Sequence, residues 1–502
     1  MDVPDLDPFF ESRSVAVVGA SPDSWYSSQL VENLLSYGFE GELSLVNPGR
    51  ERAWGQPCHD RLADLSSPPE LVVISVPRAA VLDVLEEAGD LGVPAALAIT
   101  AGLGEADAEG EALEAEITSV AAEGGIQVCG PSCIGLADSR SETVLTSTRS
   151  HKPERGSIGL VSQSGALAFT TFFERAADED VRFSKIVSTG NEADLSLTDF
   201  VAYMHADSSV EAICAYVEGL EEPRRFARVA EETTRSGTPV FVVKIGDSDA
   251  GAAASLSHTG SLTGSDAAWN ALLKGAGAQR VADVPDLLGR ARAQAAFDAL
   301  ESDRVCIAST SGGLASLLVD MADARELSVP GLGAETEQEL LGIEELLTFE
   351  ELHNPVDIRG YGADALPAIT EALFAEDFDA YVVAIGLSAV DERAEAITDD
   401  LLQVAAAAPE PVFFLWTSRK TPERDGGGAE NSTDRDADAL PYKRVRREVP
   451  LYYDAGRCMD ALASLVRFGS DRRRITDRPS LAELEARSTT SELDLPPDQV
   501  LP

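Results

Sequence analysis

Positive charge is scarce in this sequence of 502 residues. Lys and Arg together number 40 against 86 Asp and Glu, and the formal net charge at pH 7 is −46. Proteins that bind a nucleic-acid duplex or an anionic membrane neutralise phosphates with a basic stripe. No such stripe exists here, and the basic cluster at 443–447 is interpreted as a counter-charge to the acidic stretch before it. We therefore expect no nucleic acid and no membrane among the partners.

Long apolar runs and paired cysteines are missing as well. No segment reaches the roughly 20 apolar residues that span a membrane, and the acidic start of the chain lacks the basic residues of a signal peptide. Of the six cysteines only Cys129 and Cys133 lie close together, and a zinc site of this kind needs a second pair. We expect a cytoplasmic protein with reduced thiols and no metal site.

Acidic residues recur on nearly every candidate helix, for example at 105–116 and 335–351, rather than in one tail. Such a surface repels itself in dilute buffer, whereas molar salt shortens the Debye length to about 3 Å and removes the repulsion. Lys is also rare relative to Arg. The composition resembles that of proteins adapted to high salt, and we predict a halophilic protein.

Apolar, β-rich runs alternate with segments of helical period along the chain, which is the pattern of α/β domains with parallel sheets. At roughly 150 residues per domain, the length allows about three. We predict a Rossmann-like domain at 1–150, flavodoxin-like domains at 151–300 and 301–470, and a polar tail or linker at 471–502. The polar stretch 418–441 is predicted to be a mobile surface insertion in the third domain.

The first candidate site is the turn after the apolar strand that begins at Ser14. Gly19 lets the backbone approach a ligand phosphate, and Ser21 precedes a helix that we place near Ser27, whose free N–H groups attract anions. The G-x-G-x-x-G fingerprint of a dinucleotide site is missing, since no Gly follows until Gly38. Taken alone, an ordinary structural turn is an equally good interpretation. Loops of Gly, Pro and small polar residues follow the later strands too, and such strand ends meet at one edge of a parallel sheet.

The most informative stretch is 251–266, where a single histidine, His258, lies among Gly, Ala, Ser and Thr. A lone histidine is usually structural or merely exposed. On a loop of small residues, however, a neutral imidazole can accept a phosphoryl group and can be carried between two sites. We therefore take His258 as the candidate nucleophile.

A phosphorylated histidine needs an orienting acid and groups that bind an anion. Glu218, at the exit of a predicted strand, is the candidate acid, and the alternative is a solvated loop carboxylate beside Glu221 and Glu222. The turns at 162–165 and 309–313 can each begin a helix that binds phosphate, although either alone is an ordinary turn between a strand and a helix. The predicted phosphate-binding residues are Gln163, Ser164, Gly165, Ser311, Gly312 and Gly313.

Over residues 8–470 the sequence resembles the ADP-forming acetyl-CoA synthetases and, more distantly, succinyl-CoA synthetase. The stretch Ser-His-Thr-Gly-Ser-Leu-Thr-Gly-Ser-Asp at 257–266 is similar to the phosphohistidine loop of that family. Ser-Gln-Ser-Gly-Ala-Leu-Ala at 162–168 looks like one of its phosphate-binding helix starts. Gly-Asn-Glu-Ala-Asp at 190–194 and Asn-Pro-Val-Asp at 354–357 are further signatures.

The resemblance implies a ligase that converts acyl-CoA, phosphate and ADP into a small carboxylic acid, CoA and ATP. The reaction would pass through an acyl phosphate and phosphorylated His258, with Glu218 as the partner of the histidine. The implied contacts with CoA are Gly19, Ser21, Arg50, Ile99 and Thr100. ATP or ADP with Mg would lie on an ATP-grasp beta subunit in a heterotetramer, because this sequence has no ATP-grasp domain and no P-loop.

Two departures from the family pattern bear on the CoA contacts and the acyl pocket. A Pro-Asp-Ser-Trp-Tyr-Ser-Ser segment at 22–28 replaces a turn that contains Gly and Lys, and Ser132 stands where Asn is usual. The alternative function is a non-catalytic module of the same fold that senses CoA or acyl-CoA, and His258 favours the enzyme because a sensor has no need of it. A dinucleotide-dependent dehydrogenase is a third possibility, which the missing fingerprint disfavours.

Overall fold

The computed structural model describes residues 3–149, 152–246, 248, 250–251, 266–346, 352–388, 392–418 and 441–484. His258 and nearly all of the predicted insertion at 418–441 lie outside the described residues. The chain divides into two compact units. One contains the residues up to Leu287 and those from Asp471 onwards, and the other is Leu288–Ser470. The first unit holds two sheets of seven strands each, and the second holds one sheet of five.

The first sheet has the strand order β3-β4-β2-β1-β5-β6-β7. Its strands are β1 (Ser14–Val18), β2 (Glu42–Val46), β3 (Arg52–Ala53), β4 (Gln56–His59), β5 (Leu71–Ile74), β6 (Ala95–Ala98) and β7 (Gln127–Cys129). All neighbouring strands are parallel except β3 and β4. The chain runs outward from β1 to one side and then returns to β5 on the other. Ligands of open α/β sheets bind at the carboxyl edge where the strand order reverses in this way.

Every residue of β5 and β6 is buried, because helices cover both faces of the parallel sheet. The α-helices around the first sheet are α1 (Asp7–Phe10), α2 (Trp25–Tyr37), α3 (Val81–Asp90) and α4 (Ala108–Gly124). Two short 3₁₀ turns, Leu62–Asp64 and Arg78–Ala80, complete the connections. The fold is Rossmann-like, as the alternation of apolar runs predicts.

The second sheet has the order β14-β13-β12-β10-β11-β8-β9. Its strands are β8 (Gly135–Asp138), β9 (Thr143–Thr146), β10 (Ile158–Ser162), β11 (Phe183–Ser188), β12 (Ala212–Val217), β13 (Val240–Lys244) and β14 (Gln279–Arg280). The described helices are a π-helix at Leu167–Phe172 followed by α5 (Phe173–Asp178), α6 (Leu197–Ala206), α7 (Pro223–Ser236), α8 (Asp266–Ala276) and α9 (Val284–Ala296). Strands β10 to β14 form the parallel, flavodoxin-like part.

Strands β8 and β9 are antiparallel additions to the second sheet, although they precede residue 150, where the sequence-based boundary lies. A buried ion pair fixes their register. Lys185 of β11 is paired across the sheet with Asp138 of β8, its Nζ atom lies 3.0 Å from the Asp138 carboxylate, and it also contacts the carboxylate of Asp207. Because a buried ammonium is costly without partners, this pair selects one register.

The third sheet, in the second unit, is parallel throughout and has the order β16-β15-β17-β18-β19. Its strands are β15 (Val305–Ser309), β16 (Val356–Asp357), β17 (Ala380–Ile385), β18 (Val412–Trp416) and β19 (Leu451–Tyr452). The described helices are α10 (Gly312–Asp323), α11 (Ala334–Leu341), α12 (Leu366–Leu373), α13 (Ala394–Ala407), α14 (Pro441–Glu448) and α15 (Ala455–Thr476), with 3₁₀ turns at Glu344–Leu346 and Gly362–Ala365. Helix α15 extends past the predicted boundary at 470 into the segment expected to be a polar linker.

The first and second sheets share one continuous core. Apolar residues of the first sheet such as Val17 and Leu97 belong to the same cluster as Val161 and Phe200 of the second sheet and its helices. Phe10 of α1 stacks on Tyr203 of α6 with ring centroids 5.4 Å apart. The same hydrophobic core therefore packs against both sheets and holds them together. None of the described helices combines the length and the apolar character needed to cross a membrane.

Candidate active site at the carboxyl ends of the strands

The turn after β1 approaches its neighbouring strand very closely. Gly19 has a φ of +86°, and a Cβ atom at this position would lie 2.1 Å from the carbonyl oxygen of Ser75. The Gly19 N–H donates to Val46 O at 2.9 Å, and the Ser75 N–H donates to Val18 O at 2.9 Å. Only glycine satisfies both the left-handed conformation and the close approach. The backbone after β1 is thus bound between the ends of β2 and β5.

Helix α2 begins at Trp25, so the sequence-based start near Ser27 is two residues too late. Ser24 is the N-cap residue, and its hydroxyl accepts from the Ser27 N–H at 3.5 Å. The Ser27 hydroxyl instead accepts from the Ser21 N–H at 3.1 Å and lies 3.2 Å from the carbonyl oxygens of Gly19 and Ser21. Ser27 therefore holds the turn after β1 rather than the helix start.

The five predicted CoA contacts lie at the carboxyl ends of strands β1, β2 and β6, and β5 lies between β1 and β6. Thr100 bridges two of these ends, since its hydroxyl donates to Val76 O at 2.8 Å and accepts from the Val76 N–H at 3.3 Å. Ile99 is buried. Arg50, which follows β2, is partly exposed and forms an ion pair with Asp23 of the departing 22–28 segment. The structure thus brings the strand ends together, with Arg50 after β2 and Arg78 after β5 as basic groups.

At the carboxyl edge of the second sheet, the side chain of Gln163 closes the turn after β12. Its Oε1 atom accepts from the N–H groups of Glu218 at 2.6 Å and Gly219 at 3.1 Å, and its Nε2 atom donates to Gly219 O at 2.8 Å. The Gln163 N–H donates to Tyr216 O at 3.1 Å. Gln163 was predicted to bind phosphate, but its amide and its N–H are engaged within the protein. Ser164 and Gly165 are the members of this turn that lie nearest the helix start.

Glu218 is buried, with 4% of its surface exposed, whereas Glu221 and Glu222 are exposed. The alternative interpretation of Glu218 as a solvated loop carboxylate is therefore wrong. A buried carboxylate near Tyr216 has an electrostatic effect, since desolvation and the charge of Glu218 together raise the pKa of Tyr216 to about 12. The position of Glu218 at a strand exit is the one expected for an active-site acid in this architecture.

A second acid, Glu192, lies close to Gln163 and was not singled out by sequence reasoning. Its Oε1 atom accepts from the Thr189 hydroxyl at 2.6 Å and from the Leu197 N–H at 3.0 Å. Burial raises the pKa of Glu192 to about 7, against the opposing effect of these donors. The Gly-Asn-Glu-Ala-Asp signature that contains Glu192 was the available signal.

The segment that carries Glu192 runs along β7 of the first sheet. The N–H groups of Asn191, Ala193 and Leu195 donate to carbonyl oxygens of residues 128–131 at 2.9 to 3.1 Å. The Val128 N–H donates to the Asp194 carboxylate at 2.8 Å. Gly190 has a φ of +64°, and a Cβ atom there would lie 2.1 Å from Pro131 O. This signature segment therefore joins the first sheet to the second.

In the second unit, the turn after β15 holds the other predicted phosphate-binding residues. Ser311 is the N-cap of α10, and its hydroxyl accepts from the Leu314 N–H at 3.4 Å. Gly312 lies against Asp357, and a Cβ atom at Gly312 would lie 2.4 Å from the Asp357 carboxylate. Gly313 has open space beside it. Among the described residues there is no cluster of His, Cys, Asp and Glu that could hold a metal ion.

Comparisons with known proteins bear on both parts of the first unit. The family described as a CoA-binding domain matches residues 13–139, and the succinyl-CoA ligase-like flavodoxin domain matches residues 155–294. A solved structure of acetyl-coenzyme A synthetase 1 from Candidatus Korarchaeum cryptofilum, in complex with phosphate and ADP, is similar with a TM-score of 0.81 and 28% identity, over 94% of this chain and 98% of that chain.

Two curated relatives are similar across about 70% of the chain. The alpha subunit of ADP-forming acetate–CoA ligase II from Pyrococcus furiosus is 34% identical over 354 residues, which cover 70% of this chain and 76% of that subunit. ADP-forming acetate–CoA ligase I from Archaeoglobus fulgidus is 35% identical over 358 residues, and only 51% of its length is matched. The chain thus spans about half of one relative and most of an alpha subunit, and it belongs to the family of ADP-forming acetate–CoA ligases as a counterpart of their alpha subunits.

Proposed function

We propose that this chain is the subunit of an ADP-forming acyl-CoA synthetase that binds CoA and carries a phosphoryl group on His258. The observation that carries the proposal is the buried Glu218 carboxylate, held at the exit of β12 by Gln163. A carboxylate in such a place is able to orient an imidazole and to fix which of its nitrogens bears the proton. The nucleophilic nitrogen then remains free for phosphorus.

The proposed reaction has three transfers. An oxygen of inorganic phosphate attacks the thioester carbonyl of acyl-CoA, the C–S bond breaks and CoA leaves as the thiolate. The unprotonated nitrogen of His258 attacks phosphorus of the acyl phosphate, the P–O bond to the acyl group breaks, and the carboxylate leaves. Finally the phosphoryl group passes from nitrogen to ADP. The helix start after Ser164 and the helix start after Ser311 each offer backbone N–H groups that can stabilise an anionic phosphate.

The test of the phosphoryl carrier uses the full chain in molar salt. Incubation with acetyl phosphate, followed by intact-mass measurement, is expected to add one acid-labile phosphoryl group, and His258→Ala should remove it. If the wild-type chain takes up no phosphate under these conditions or with ATP and the partner subunit, the sensing module of the same fold becomes the better interpretation. A phosphoryl group that persists in His258→Ala would place the carrier on another residue.

CoA binding belongs to the first sheet in this proposal, with Gly19, Ser21, Arg50, Ile99 and Thr100 as the contacts. The start of α2 offers N–H groups to a pyrophosphate, and Arg50 supplies the positive charge at the same edge. Trp25, at the first position of α2, is 70% exposed. Its fluorescence should therefore respond to a ligand that binds at this edge of the sheet. CoA should change the tryptophan fluorescence in the wild type and not in Trp25→Phe, whereas binding of NADH without CoA would favour a dehydrogenase.

The nucleotide is proposed to lie, with Mg, on an ATP-grasp beta subunit in a heterotetramer. The Pyrococcus furiosus relative is named as an alpha subunit, which supports the presence of a partner subunit. Purification from a native high-salt extract should recover a second polypeptide with the chain. Full ADP-dependent activity of this chain alone would contradict the division of labour.

The proposal also includes adaptation to high salt and a cytoplasmic location. The net charge of −46 in 502 residues supports a halophilic protein, because self-repulsion of the surface is relieved only when ions screen it. The free energy of unfolding should rise from dilute buffer to molar KCl. A flat dependence would show that the acidic composition serves another purpose. All six cysteines are free thiols, which agrees with a reducing compartment.

A further inference from the structure

The loop after β6 carries two of the predicted CoA contacts, Ile99 and Thr100, and it is tied to the loops on either side of it. From the loop after β5, the Arg78 guanidinium donates to Gly102 O at 3.0 Å. From the loop after β7, the Ser132 N–H donates to Thr100 O at 3.0 Å. The conformation of this loop is therefore determined by contacts with both of its neighbours at the carboxyl edge of the first sheet.

Glu105, near the end of the same loop, accepts hydrogen bonds from three segments of the chain. Its Oε1 atom accepts from the Gly102 N–H at 2.7 Å and from the Ser132 hydroxyl at 2.9 Å. Its Oε2 atom accepts from the side-chain nitrogen of Asn191 at 2.6 Å. Ser132 follows β7 of the first sheet, and Asn191 follows β11 of the second. One carboxylate thus joins the loop after β6 to the ends of strands in both sheets.

The amide of Asn191 is oriented by a second carboxylate. Its nitrogen also donates to the Oε2 atom of Glu114 at 2.7 Å, and this oxygen accepts from the Gly104 N–H at 2.9 Å. A flipped amide would turn its oxygen toward both carboxylates, so Asn191 presents a donor to Glu105. Burial by itself would raise the pKa of Glu105, but the hydrogen bonds that the carboxylate accepts lower this pKa below the ordinary value of 4.5. Glu105 is therefore ionised at neutral pH.

We propose that Glu105 is a positioning residue for CoA, whose carboxylate holds the loop after β6 in the conformation that binds the ligand. This rests on the proposed CoA contacts of Ile99 and Thr100. A ligand that meets a preformed loop binds more tightly, because less conformational entropy is lost on binding. The charge of Glu105 acts in the opposite direction, since CoA is a polyanion that a nearby carboxylate repels. Positioning and charge therefore predict changes of opposite sign when the carboxylate is neutralised.

Glu105→Gln separates the two effects. An amide has one acceptor oxygen and one donor nitrogen, so in either orientation the introduced nitrogen faces an N–H group, that of Gly102 or that of Asn191. The Kd for CoA, measured by calorimetry in molar salt, should rise about fivefold. Glu116→Gln removes the same charge at an exposed position on α4 and should leave the Kd within about twofold of the wild type. Unchanged or tighter CoA binding in Glu105→Gln would overturn the proposal.

Repeating the substitution in Asn191→Ala distinguishes positioning from a general loss of stability. Without the Asn191 side chain, the introduced amide can direct its oxygen to the Gly102 N–H and its nitrogen to solvent. Glu105→Gln should then raise the Kd for CoA by less than about twofold, because the conflict between two donors is gone. An equal rise in the two backgrounds would contradict the proposal, since a general loss of stability does not depend on Asn191.

Hydrogen exchange separates this proposal from the proposed function. The Gly102 N–H should exchange at least about tenfold faster in Glu105→Ala than in the wild type, because its acceptor is lost. The Gly104 N–H, which donates to Glu114, should change less. Unchanged exchange at Gly102 would show that Glu105 does not hold the loop. Failure of the wild type to bind CoA would instead refute the proposed function of the first sheet, and the exchange at Gly102 would still decide whether Glu105 positions the loop.

Discussion

The turns after β10 and β15 are built from the same parts. The last strand residue of each, Ser162 or Ser309, donates its hydroxyl to a carbonyl oxygen two residues on, at 2.8 Å in the first and 3.0 Å in the second. The next residue of each donates its N–H to a neighbouring strand, Gln163 to Tyr216 O and Thr310 to Ala384 O. The same residue then uses its side chain to hold the exit of that strand, Glu218–Gly219 in one turn and Gly386 in the other.

The two turns differ in the acids that surround them. The turn after β10 lies beside buried Glu218 and beside Glu192, which titrates near 7. In the turn after β15 the corresponding side chain is the neutral Thr310. The Asp357 carboxylate lies against Gly312 of this turn, is partly exposed and accepts from the Arg359 N–H. Two copies of one turn have thus diverged in electrostatics while keeping their geometry. The first turn has a buried carboxylate beside it, and the second has a partly exposed one.

The largest expected effect is on phosphoryl transfer. Under the proposed function, Glu218→Gln should lower the rate of His258 phosphorylation by at least about 100-fold, because the carboxylate proposed to orient the imidazole is lost. Asp357→Asn is the matched change in the second turn and should have a much smaller effect. Rates are measured with acetyl phosphate by quenched intact-mass analysis. Equal losses in the two variants would mean that both turns supply a catalytic acid.

Added methyl groups should distinguish the packing of the two turns. In Gly165→Ala the new Cβ would lie 2.4 Å from Cγ1 of Ile134, a branched side chain that cannot move easily, whereas in Gly312→Ala it meets the end of the Asp357 side chain. We expect Gly165→Ala to lower the free energy of unfolding by about 1–3 kcal/mol. The cost of Gly312→Ala should be smaller. Denaturant unfolding in high salt measures both, and the reverse order would show that the second turn is the more rigid.

Loss of the side-chain hydrogen bonds of Gln163 and Thr310 should show which of the two turns depends on them more for stability. Gln163→Leu leaves two backbone N–H groups without their acceptor, whereas Thr310→Val leaves one. At about 1–2 kcal/mol for each lost partner, Gln163→Leu should be the more destabilising variant. Thermal unfolding at matched salt provides the measurement. Comparable losses would indicate that water replaces the amide of Gln163.

The smallest expected effect is the pH dependence of stability that Glu192 contributes. Its folded pKa of about 7 lies above the ordinary value of 4.5, so the stability contributed by its protonation is fully present below the unfolded value and is lost as pH rises through 7. Between about pH 6 and about pH 8 the wild type should lose about 1 kcal/mol relative to Glu192→Gln. A constant difference for Glu192→Gln would mean that this acid does not titrate near 7.

The likeness of the two turns was visible in the sequence, since each is an apolar strand that runs into Ser-x-Ser-Gly. The Rossmann-like and flavodoxin-like folds and the exit position of Glu218 follow from the same local alternation. The raised pKa of Glu192 does not, because it depends on burial that arises only in the tertiary structure. The start of α2 was placed near Ser27, but Ser24 is its N-cap and the Ser27 hydroxyl contacts the 19–21 turn, a tertiary detail that the sequence pattern does not show.

The junction along β7 limits how this protein can be cut into fragments. A fragment that ends near residue 150 would retain β8 and β9 without β11, the strand they pair with, and would lose Asn191, Ala193 and Leu195 from the edge of β7. The freed backbone edges would be open to other chains. A CoA-binding fragment that is to fold by itself would therefore have to end before Gly135. It would also need a polar substitution or a proline in β7 that prevents other chains from pairing with the exposed edge.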